Sequence, residues 1–179
     1  MRLPEIFQYC PRCGAPRDGP ASNPFRCAAC GHQQYFNPAA AVAAILLGSD
    51  GRALFLRRAH DPGKGKLGLP GGFVDIGETA EDALRREVRE EVNLEIGALE
   101  FLCSLVNDYH YRDVTYPVLD LFFVVRVNST SGMAALDGVE SFVWLDPARV
   151  DLAGFAFPSN AEAVRRFAAR RAPHSDAAR

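Results

Sequence analysis

The chain has 179 residues, of which 48% are hydrophobic and 23% are charged. This length and balance predict a folded protein of one domain with a small appendage, and they exclude a disordered chain, a coiled coil and a collagen-like fibre. The formal net charge of -2 provides no electrostatic footprint for nucleic acid, and no apolar run approaches the roughly 20 residues of a membrane span. Since the first residues also lack the features of a secretory signal, we expect a cytoplasmic protein with no membrane segment and no nucleic-acid partner.

Four of the five cysteines lie in the first thirty residues as two C-x-x-C elements. Paired elements of this kind are typical of zinc sites, although the interval between them is slightly shorter here than in the commonest form. Gly14 and Gly31 follow the elements and permit a tight backbone turn under a metal ion. We predict one structural Zn²⁺; two disulfides are the alternative, which a reducing cytosol disfavours. The predicted ligands are Cys10, Cys13, Cys27 and Cys30.

The zinc ribbon is predicted over residues 1–37, because Pro38 interrupts regular structure before a new apolar run begins. So short a segment has too little core to fold alone, and metal binding can supply on the order of 10 kcal/mol. Residues 38–171 are predicted to form an α/β domain. The small and polar residues 172–179 are expected to be a frayed, disordered tail.

Beyond Pro38 the apolar pattern predicts strands interleaved with helices, which indicates α/β or α+β layers. The predicted strands cover residues 39–47, 52–58, 99–106, 118–127 and 141–145. The fifth cysteine, Cys103, is expected to be a buried residue of one of them. One helix is predicted over 79–92, where Ala80, Leu84 and Val88 recur every four residues, and a terminal helix is predicted over 161–171.

Three glutamates of the first helix, Glu87, Glu90 and Glu91, are spaced i, i+3 and i+4 and therefore share one face. Like charges at this spacing destabilise a helix by roughly 0.2–0.5 kcal/mol per pair. A hard divalent cation such as Mg²⁺ or Mn²⁺ removes that penalty, because it prefers oxygen ligands. The alternative is a solvated helix face neutralised by the neighbouring arginines Arg85, Arg86 and Arg89.

A glycine loop, Leu69-Pro-Gly-Gly-Phe73, precedes this helix. Two adjacent glycines allow the backbone to bend tightly or to approach a ligand closely. Glu78 and Thr79 stand at the helix start, where a carboxylate or a hydroxyl can satisfy free amides. A glycine loop that leads into an acidic helix is the arrangement expected for holding a phosphate-bound metal ion.

Residues 72–94 resemble the Nudix box, whose pattern is Gly, five residues, Glu, seven residues, and then Arg-Glu-U-x-Glu-Glu-x-Gly-U with U aliphatic. Asn93 stands where the pattern has its second Gly, and Asn is the next-best residue for a left-handed helix cap. The resemblance implies a Nudix fold, a mixed β-sheet between helices, preceded here by the zinc ribbon; some Nudix hydrolases, including NADH pyrophosphatases, carry such a ribbon. The matching positions are Gly72, Glu78, Arg86, Glu87, Val88, Glu90, Glu91 and Leu94.

The resemblance implies metal-dependent hydrolysis of a pyrophosphate bond in a nucleoside diphosphate that is linked to another moiety. It assigns Mg²⁺ or Mn²⁺ to the three helix glutamates, with Glu91 or an acid further along the chain, Asp137 or Glu140, taking a proton from water. A diphosphate repels an anionic nucleophile, so both cations and an activated water suit this chemistry.

The resemblance also implies roles for the remaining positions of the box. Arg86 would orient the acidic cluster by charge-assisted hydrogen bonds, the alternative being an ordinary i,i+4 partner of Glu90. Gly72 and Glu78 would shape the loop and the start of the helix.

Residues outside the box, Glu140 among them, are candidates for substrate contacts. Arg58 (or Arg57) at a strand end and Lys66 (or Lys64) in a glycine-rich loop are candidates for binding phosphates, with solvated charge as the alternative. Three tyrosines are candidates for stacking on a base or ribose, and a hairpin with aromatic packing is the alternative for them. These are Tyr109, Tyr111 and Tyr116.

The expected substrates are ADP-ribose or a related nucleoside diphosphate sugar first and a dinucleotide such as NADH second, with damaged nucleoside triphosphates after them. NADH pyrophosphatases carry a Ser-Gln-Pro-Trp-Pro-Phe-Pro stretch after the box, and residues 103–111 lack it. The alternative function is non-catalytic: a zinc-ribbon Nudix-like protein that senses a nucleotide or binds RNA or protein. All the metal-binding glutamates of the box are present, which favours the enzyme. A homodimer is left open.

Overall fold

A computed structural model describes residues 1–171, and the predicted tail, residues 172–179, lies outside the described residues. The chain forms two compact units. The first unit contains residues 1–39 and 108–118, and the second contains residues 40–107 and 119 onward. None of the helices within residues 1–171 combines the length and the apolar character needed to cross a membrane.

The first unit has little regular structure and a small core. A short helix, α1 (Leu3–Ile6), precedes two antiparallel strands of two residues each, β1 (Phe25–Arg26) and β2 (Gln33–Gln34). The core consists of Phe25 and Phe36 together with two cysteines, and the ring of Phe7 packs 4.7 Å from that of Phe36. A core of this size is far below what a domain needs to fold without a metal or a disulfide.

The second unit is built on a six-stranded sheet with the order β5-β4-β3-β7-β6, and β8 pairs with β4. Strand β4 is antiparallel to β3, β5 and β8. The strands are β3 (Ala39–Leu47), β4 (Ala53–Arg58), β5 (Leu67–Gly68), β6 (Leu99–Tyr111), β7 (Val114–Arg126) and β8 (Val139–Leu145).

Helices cover both faces of this sheet, which explains why its central strands are apolar on both sides. Helix α2 (Ala80–Val92) packs Leu84, Val88 and Val92 against one face. Helix α3 (Pro158–Arg171), which follows a 3₁₀ turn at Leu152–Gly154, packs Val164 and Phe167 against the other face. The predicted mixed sheet between helices is confirmed.

The predicted elements are all present, with corrected bounds. Strand β3 matches its prediction, but β6 runs five residues further than predicted, to Tyr111, and β7 begins earlier, at Val114. The apolar pattern ends before this turn, so the prediction stopped too early. The polar residues that follow alternate between partly buried and exposed positions, but they are not apolar. The hairpin offered as the alternative for the tyrosines is therefore present, with Arg112 in its turn at φ 50°. The terminal helix begins at Pro158 rather than at residue 161.

The short strands β1, β2 and β5 were not predicted, because two residues carry no periodicity. Cys103 lies in β6 as predicted but is half-buried rather than fully buried. The predicted division into residues 1–37 and 38–171 stays a prediction. The hairpin tip, residues 108–118, belongs to the first compact unit although the predicted ribbon ended before it.

Candidate active site

The four cysteines of the first unit converge on one point. Their sulfur atoms all lie within 4.8 Å of one another, with Cys10 to Cys30 at 3.8 Å and Cys13 to Cys27 at 3.6 Å. A tetrahedral ion with Zn–S bonds of about 2.3 Å places its sulfurs about 3.8 Å apart, so these spacings suit zinc. The four cysteines form no disulfide bonds, which agrees with the zinc prediction and disagrees with the disulfide alternative.

Two equivalent turns bring the thiols together. The amide of Gly14 donates to the carbonyl of Cys10, and that of Gly31 donates to the carbonyl of Cys27, both at 2.9 Å. The two glycines have φ angles of 73° and 70°, a region that suits glycine. The predicted role of both glycines is confirmed by this geometry.

In the second unit, the glycine loop lies along the edge of strand β3 as an extra stretch of extended chain. Main-chain hydrogen bonds join Val42 N–H to the carbonyl of Gly72 at 2.9 Å and Ala44 N–H to that of Pro70 at 2.9 Å. At Gly71, with φ 143°, a Cβ atom would overlap the carbonyl oxygen of Val42. Glycine is therefore required there, and the loop is fixed to the sheet.

The loop also approaches helix α2 closely. The amide of Gly71 donates to Oε2 of Glu91 at 2.8 Å. A Cβ atom on Gly72 would overlap the carboxylate of Glu87. The two glycines therefore let two helix carboxylates lie directly against the loop backbone.

Both ends of α2 are capped by the residues that the sequence indicated. Oγ1 of Thr79 accepts a hydrogen bond from Asp82 N–H at 3.1 Å. Asn93 adopts the left-handed conformation, with φ 55° and ψ 43°, and its amide donates to the carbonyl of Arg89. Glu78 does not cap the helix; its Oε2 accepts from the amide of Asp75 in the loop at 3.2 Å.

Arg86 connects the loop and the carboxylates. It binds both oxygens of Glu78, at 3.0 and 2.9 Å, and donates to Glu87 at 2.9 Å and to Glu90 at 3.1 Å. Its Nη2 also donates to the carbonyl of Phe73 at 3.0 Å. Arg86 is thus an i,i+4 partner of Glu90, and its planar guanidinium also binds two further carboxylates and the backbone of the loop.

The other two arginines of the helix form their ion pairs with acids other than Glu87, Glu90 and Glu91. Arg85 pairs with Asp82 at 3.5 Å, and Arg89 forms a two-contact pair with Glu95 at 2.5 and 2.9 Å. Among the three arginines of the helix, Arg86 is therefore the one with hydrogen bonds to Glu87 and Glu90.

Arg86 and burial move the pKa values of the carboxyl groups in opposite directions. The hydrogen bonds from Arg86 hold the pKa of Glu78 below its usual value. Burial raises the pKa of Glu87 despite the opposing effect of Arg86. Burial also raises the pKa of Glu91 to about 8, against the Gly71 hydrogen bond, and the charge of Asp137 adds to the rise.

The donor chemistry of this cluster fits a hard divalent cation. The donors are carboxylate oxygens. Burial is the main cause of the raised pKa of Glu91, and the charges of Glu87 and Asp137 add to it, so a cation would stabilise the charged form of this carboxylate. Within residues 1–171, only the cysteines have three or more ligand atoms mutually within 4.8 Å, so the glutamate oxygens lie further apart. Arg86 and the Gly71 amide hold them in that arrangement.

The predicted substrate residues have different surroundings. Arg58 ends β4, stacks over the ring of Phe157 at 5.0 Å, and its charge opposes the rise in the pKa of Glu91. Lys66 is exposed in the loop before β5, and Glu140 is exposed on β8. Arg58 is thus the one of these three with an electrostatic link to the carboxylates. The three tyrosines, Tyr109, Tyr111 and Tyr116, belong to the first unit.

Sequence reasoning missed two features of the second unit. The amide of Asp137 donates to the carbonyl of Glu90 at 3.3 Å, so the loop before β8 lies against the end of α2; no local pattern encodes this contact. The second feature is a group of buried polar side chains at the start of α3, Ser159 and Asn160, together with Asp120 on β7. A single Asp within the apolar run of 118–127 was the available signal.

Comparison with known proteins gives a consistent result. The family model described as the NUDIX domain matches residues 37–167. The chain is 36% identical over 104 residues to the human NAD(P)H pyrophosphatase NUDT13, mitochondrial, and 37% identical over 98 residues to the ADP-ribose pyrophosphatase of Methanocaldococcus jannaschii. These matches cover 58% and 54% of this chain, but only 29% and 55% of the two relatives.

A solved structure, the NUDIX hydrolase from Nitrosomonas europaea, matches 92% of this chain and 92% of its own, with a TM-score of 0.72. At 21% identity, this likeness shows the fold alone. The family model covers most of the chain, and its match includes the glycine loop and the acidic helix whose geometry is described above. The chain therefore belongs to the Nudix family.

Proposed function

We propose that the second unit hydrolyses the pyrophosphate bond of a nucleoside diphosphate linked to another moiety, with Mg²⁺ or Mn²⁺ bound by Glu87, Glu90 and Glu91. The observation that carries the proposal is the network of Arg86, which ties three carboxylates to the glycine loop. Hydrogen bonds that only stabilised the helix would not have to include the carbonyl of Phe73 in the loop. The two raised pKa values in the same cluster are typical of functional sites.

Bound divalent cations would neutralise charge on the phosphate oxygens and polarise the scissile P–O bond. The chain itself holds the reacting groups in place. Arg86 holds Glu87 and Glu90 by hydrogen bonds, and the Gly71 amide holds Oε2 of Glu91. Gly72 allows Glu87 to lie against the backbone, where a larger residue would displace it.

Glu91 is the proposed proton acceptor for the attacking water. One of its oxygens is held by Gly71, which leaves Oε1 for the water. Burial raises the pKa of Glu91 to about 8, so Glu91 would act as a base once nearby divalent cations have displaced its proton, and its carboxylate would still accept a proton more readily than that of an ordinary glutamate. Asp137 and Glu140, which the sequence offered as alternatives, are both exposed.

The proposed substrate is ADP-ribose or a related nucleoside diphosphate sugar, with a dinucleotide such as NADH second. The named activity of the Methanocaldococcus jannaschii relative, ADP-ribose pyrophosphatase, supports this order, and that of the human relative, NAD(P)H pyrophosphatase, supports the second choice. Arg58 and Lys66 are the proposed phosphate contacts. Tyr109, Tyr111 and Tyr116 are proposed to stack on a base or ribose.

For the first unit, we propose one structural Zn²⁺ bound by the four cysteines. Sulfur spacings of 3.6 and 3.8 Å support it, and so does the very small core around them. With four protein ligands, the ion has no open position for a substrate.

The test is a panel of ADP-ribose, other nucleoside diphosphate sugars, NADH and nucleoside triphosphates, assayed with Mg²⁺ and with Mn²⁺. ADP-ribose should yield AMP and ribose 5-phosphate. Glu90→Gln and Glu91→Gln should lower kcat by at least about 100-fold with little change in Tm, whereas Glu81→Gln on the exposed first turn of the same helix should not. Full activity in both variants would contradict the proposal. Tight nucleotide binding without turnover in the unaltered protein would favour the non-catalytic alternative.

A further inference from the structure

The second unit contains a cavity of about 740 Å³ at the end of α3. It lies between that helix end, the last residues of β3 and β7, the turn after β3 and the start of β6. Its volume is within the range of small-molecule sites, about 300–1,000 Å³. The residues that line it include none of the carboxylate cluster and none of the glycine loop. The cavity is therefore a separate place in the fold, which the proposed function does not use.

Three arginines line this cavity, Arg126, Arg170 and Arg171. Arg126 is the last residue of β7 and shares a strand face with Val124, which packs in the core beneath α3. The other two end α3. Leu47 and Val124 line the cavity as well and are buried, so it combines guanidinium groups with apolar side chains.

The positive charge of the cavity is poorly compensated. Of the ion pairs within residues 1–171, one includes any of the three arginines: Arg170 and Glu100 are 3.9 Å apart, with side chains that are 56% and 75% exposed. Pairs as exposed as this one neutralise little charge. Glu95 also lines the cavity, but its carboxylate is bound by Arg89. A cavity lined by unneutralised charge of one sign attracts ions of the opposite sign.

Arg171 is held in position within this cavity. Its Nη1 donates to the carbonyl of Gly51 at 2.8 Å, and its guanidinium lies 5.6 Å from the centre of the Phe167 ring. A Cβ on Gly51, whose φ is 80°, would lie 2.9 Å from Nη2 of Arg171, so a glycine suits this close approach. The bond to Gly51 uses one of five N–H donors, which leaves others for a ligand. A group fixed in advance loses little conformational freedom on binding.

We propose that this cavity is a second binding site, separate from the pyrophosphate site, and that it takes the phosphate group of a small molecule. Guanidinium groups bind phosphate oxygens through paired hydrogen bonds, and Arg126 and Arg171 are the proposed contacts. Asn128 and Ser129, which also line the cavity, supply neutral donors. The apolar side chains are the proposed contacts for the rest of the ligand.

The test is a titration of the zinc-bound full chain with inorganic phosphate, followed by calorimetry at low ionic strength and without Mg²⁺ or Mn²⁺. In the absence of divalent cations the carboxylate cluster repels anions, so the heat of binding reports on the arginines. Arg126→Gln should weaken phosphate binding by about tenfold, because it removes charged hydrogen-bond donors. Since the side chain of Arg126 has no ion pair within residues 1–171, Tm should stay unchanged.

The matched control is Arg165→Gln, which removes the same charge from an exposed position of α3 outside the cavity, where Arg165 pairs with Glu162. This variant should keep the full affinity for phosphate. Arg126→Lys should recover part of the affinity lost in Arg126→Gln, since it restores the charge without the planar group.

Two further measurements locate and identify the ligand. In NMR spectra of the unaltered protein, phosphate should shift the amide signals of Gly51 and Ser129 and leave that of Gly71 in place. AMP then distinguishes two sources of the same chemistry. Tighter binding of AMP than of phosphate, lost in Arg126→Gln, would identify a larger organic phosphate as the ligand, and equal affinities would identify free phosphate.

Affinity for phosphate weaker than about 10 mM in the unaltered protein would overturn the proposal. Equal affinities in Arg126→Gln and Arg165→Gln would overturn it too, and so would NMR shifts confined to Gly71, which would place the anion at the carboxylates. The NMR result stands even if Arg126→Gln does not fold. Phosphate bound in the cavity of a protein that hydrolyses no diphosphate would keep this site and reject the proposed function.

Discussion

The thiol cluster of the first unit and the carboxylate cluster of the second both suit metal ions, but the chain prepares them differently. Two glycine turns bring the four sulfurs to spacings that a tetrahedral ion requires. The carboxylates are instead bound by the chain's own cation, Arg86, and by a main-chain amide, and their oxygens are not gathered to the same degree. We therefore expect the proposed zinc to stay bound and the proposed Mg²⁺ or Mn²⁺ to exchange more readily.

The largest effect should follow removal of metal from the thiol cluster. Structural zinc contributes on the order of 10 kcal/mol to the folding of small modules, and the core of the first unit is too small to replace it. Elemental analysis should find about one zinc per chain, and chelation should remove hydrogen-exchange protection from residues 1–39. Cys27→Ser should do the same, while Cys103→Ser, outside the cluster, should not. Full protection in metal-free protein would contradict the proposed zinc site.

The next effect concerns the guanidinium that organises the carboxylates. Arg86→Lys keeps the charge but loses the planar, two-contact geometry on Glu78, so kcat on the preferred substrate should fall by about 10- to 100-fold. Zinc content should not change. Arg85→Lys, which alters a pair outside the cluster, is the matched control. Equal losses in both variants would show that Arg86 has no special role.

A rise in pH should have opposite effects at the two sites: it should lower the folding stability that depends on Glu91, and it should strengthen zinc binding by the cysteines. In metal-free protein, Glu91 keeps its proton up to about pH 8, whereas the unfolded chain loses it near its ordinary value of 4.5. The folded state therefore binds more protons in this window, so its stability should fall as pH rises through it. Zinc binding needs thiolates and should strengthen as pH rises.

Differential scanning fluorimetry between about pH 5 and pH 8 measures the contribution of Glu91. Glu91→Gln should flatten the decline of Tm, and excess Mg²⁺ should reduce it in the unaltered protein. A decline of the same slope in Glu91→Gln would assign the effect to other groups.

The smallest effect is expected at the end of the acidic helix. Asn93 has φ 55° and donates from its side chain to the carbonyl of Gly132 at 2.7 Å. Asn93→Ala loses this bond and places a residue with a Cβ and no compensating hydrogen bond in the left-handed region, which should cost about 1–2 kcal/mol. Asn93→Gly should cost less, because glycine adopts this conformation freely. Chemical denaturation of the two variants measures the difference, and equal costs would assign the role to the side-chain bond, which both variants lose, rather than to the left-handed conformation.

The sequence alone was sufficient where spacing along the chain determines the geometry. The cysteine turns, the apolar face of α2, its caps at Thr79 and Asn93, and the contact of Arg86 with Glu90 all depend on residues close in sequence. It was insufficient where distant segments meet. The contact of Gly71 with Glu91 and the burial of Asp120 and Ser159 depend on how distant strands and helices pack, and no local period reports that.

The hairpin of β6 and β7 contributes its tip to the first unit, where the amino group of Met1 donates to the carbonyl of Asp113 at 2.7 Å and Thr115 N–H donates to the carbonyl of Met1 at 2.8 Å. The zinc module is consequently assembled from two stretches that are some seventy residues apart. An excised fragment of residues 1–39 would lack part of its own fold, and a shortened enzyme that starts at residue 40 would carry an orphaned ribbon fragment at the hairpin apex. Engineers who wish to separate the halves should shorten the hairpin in the same step.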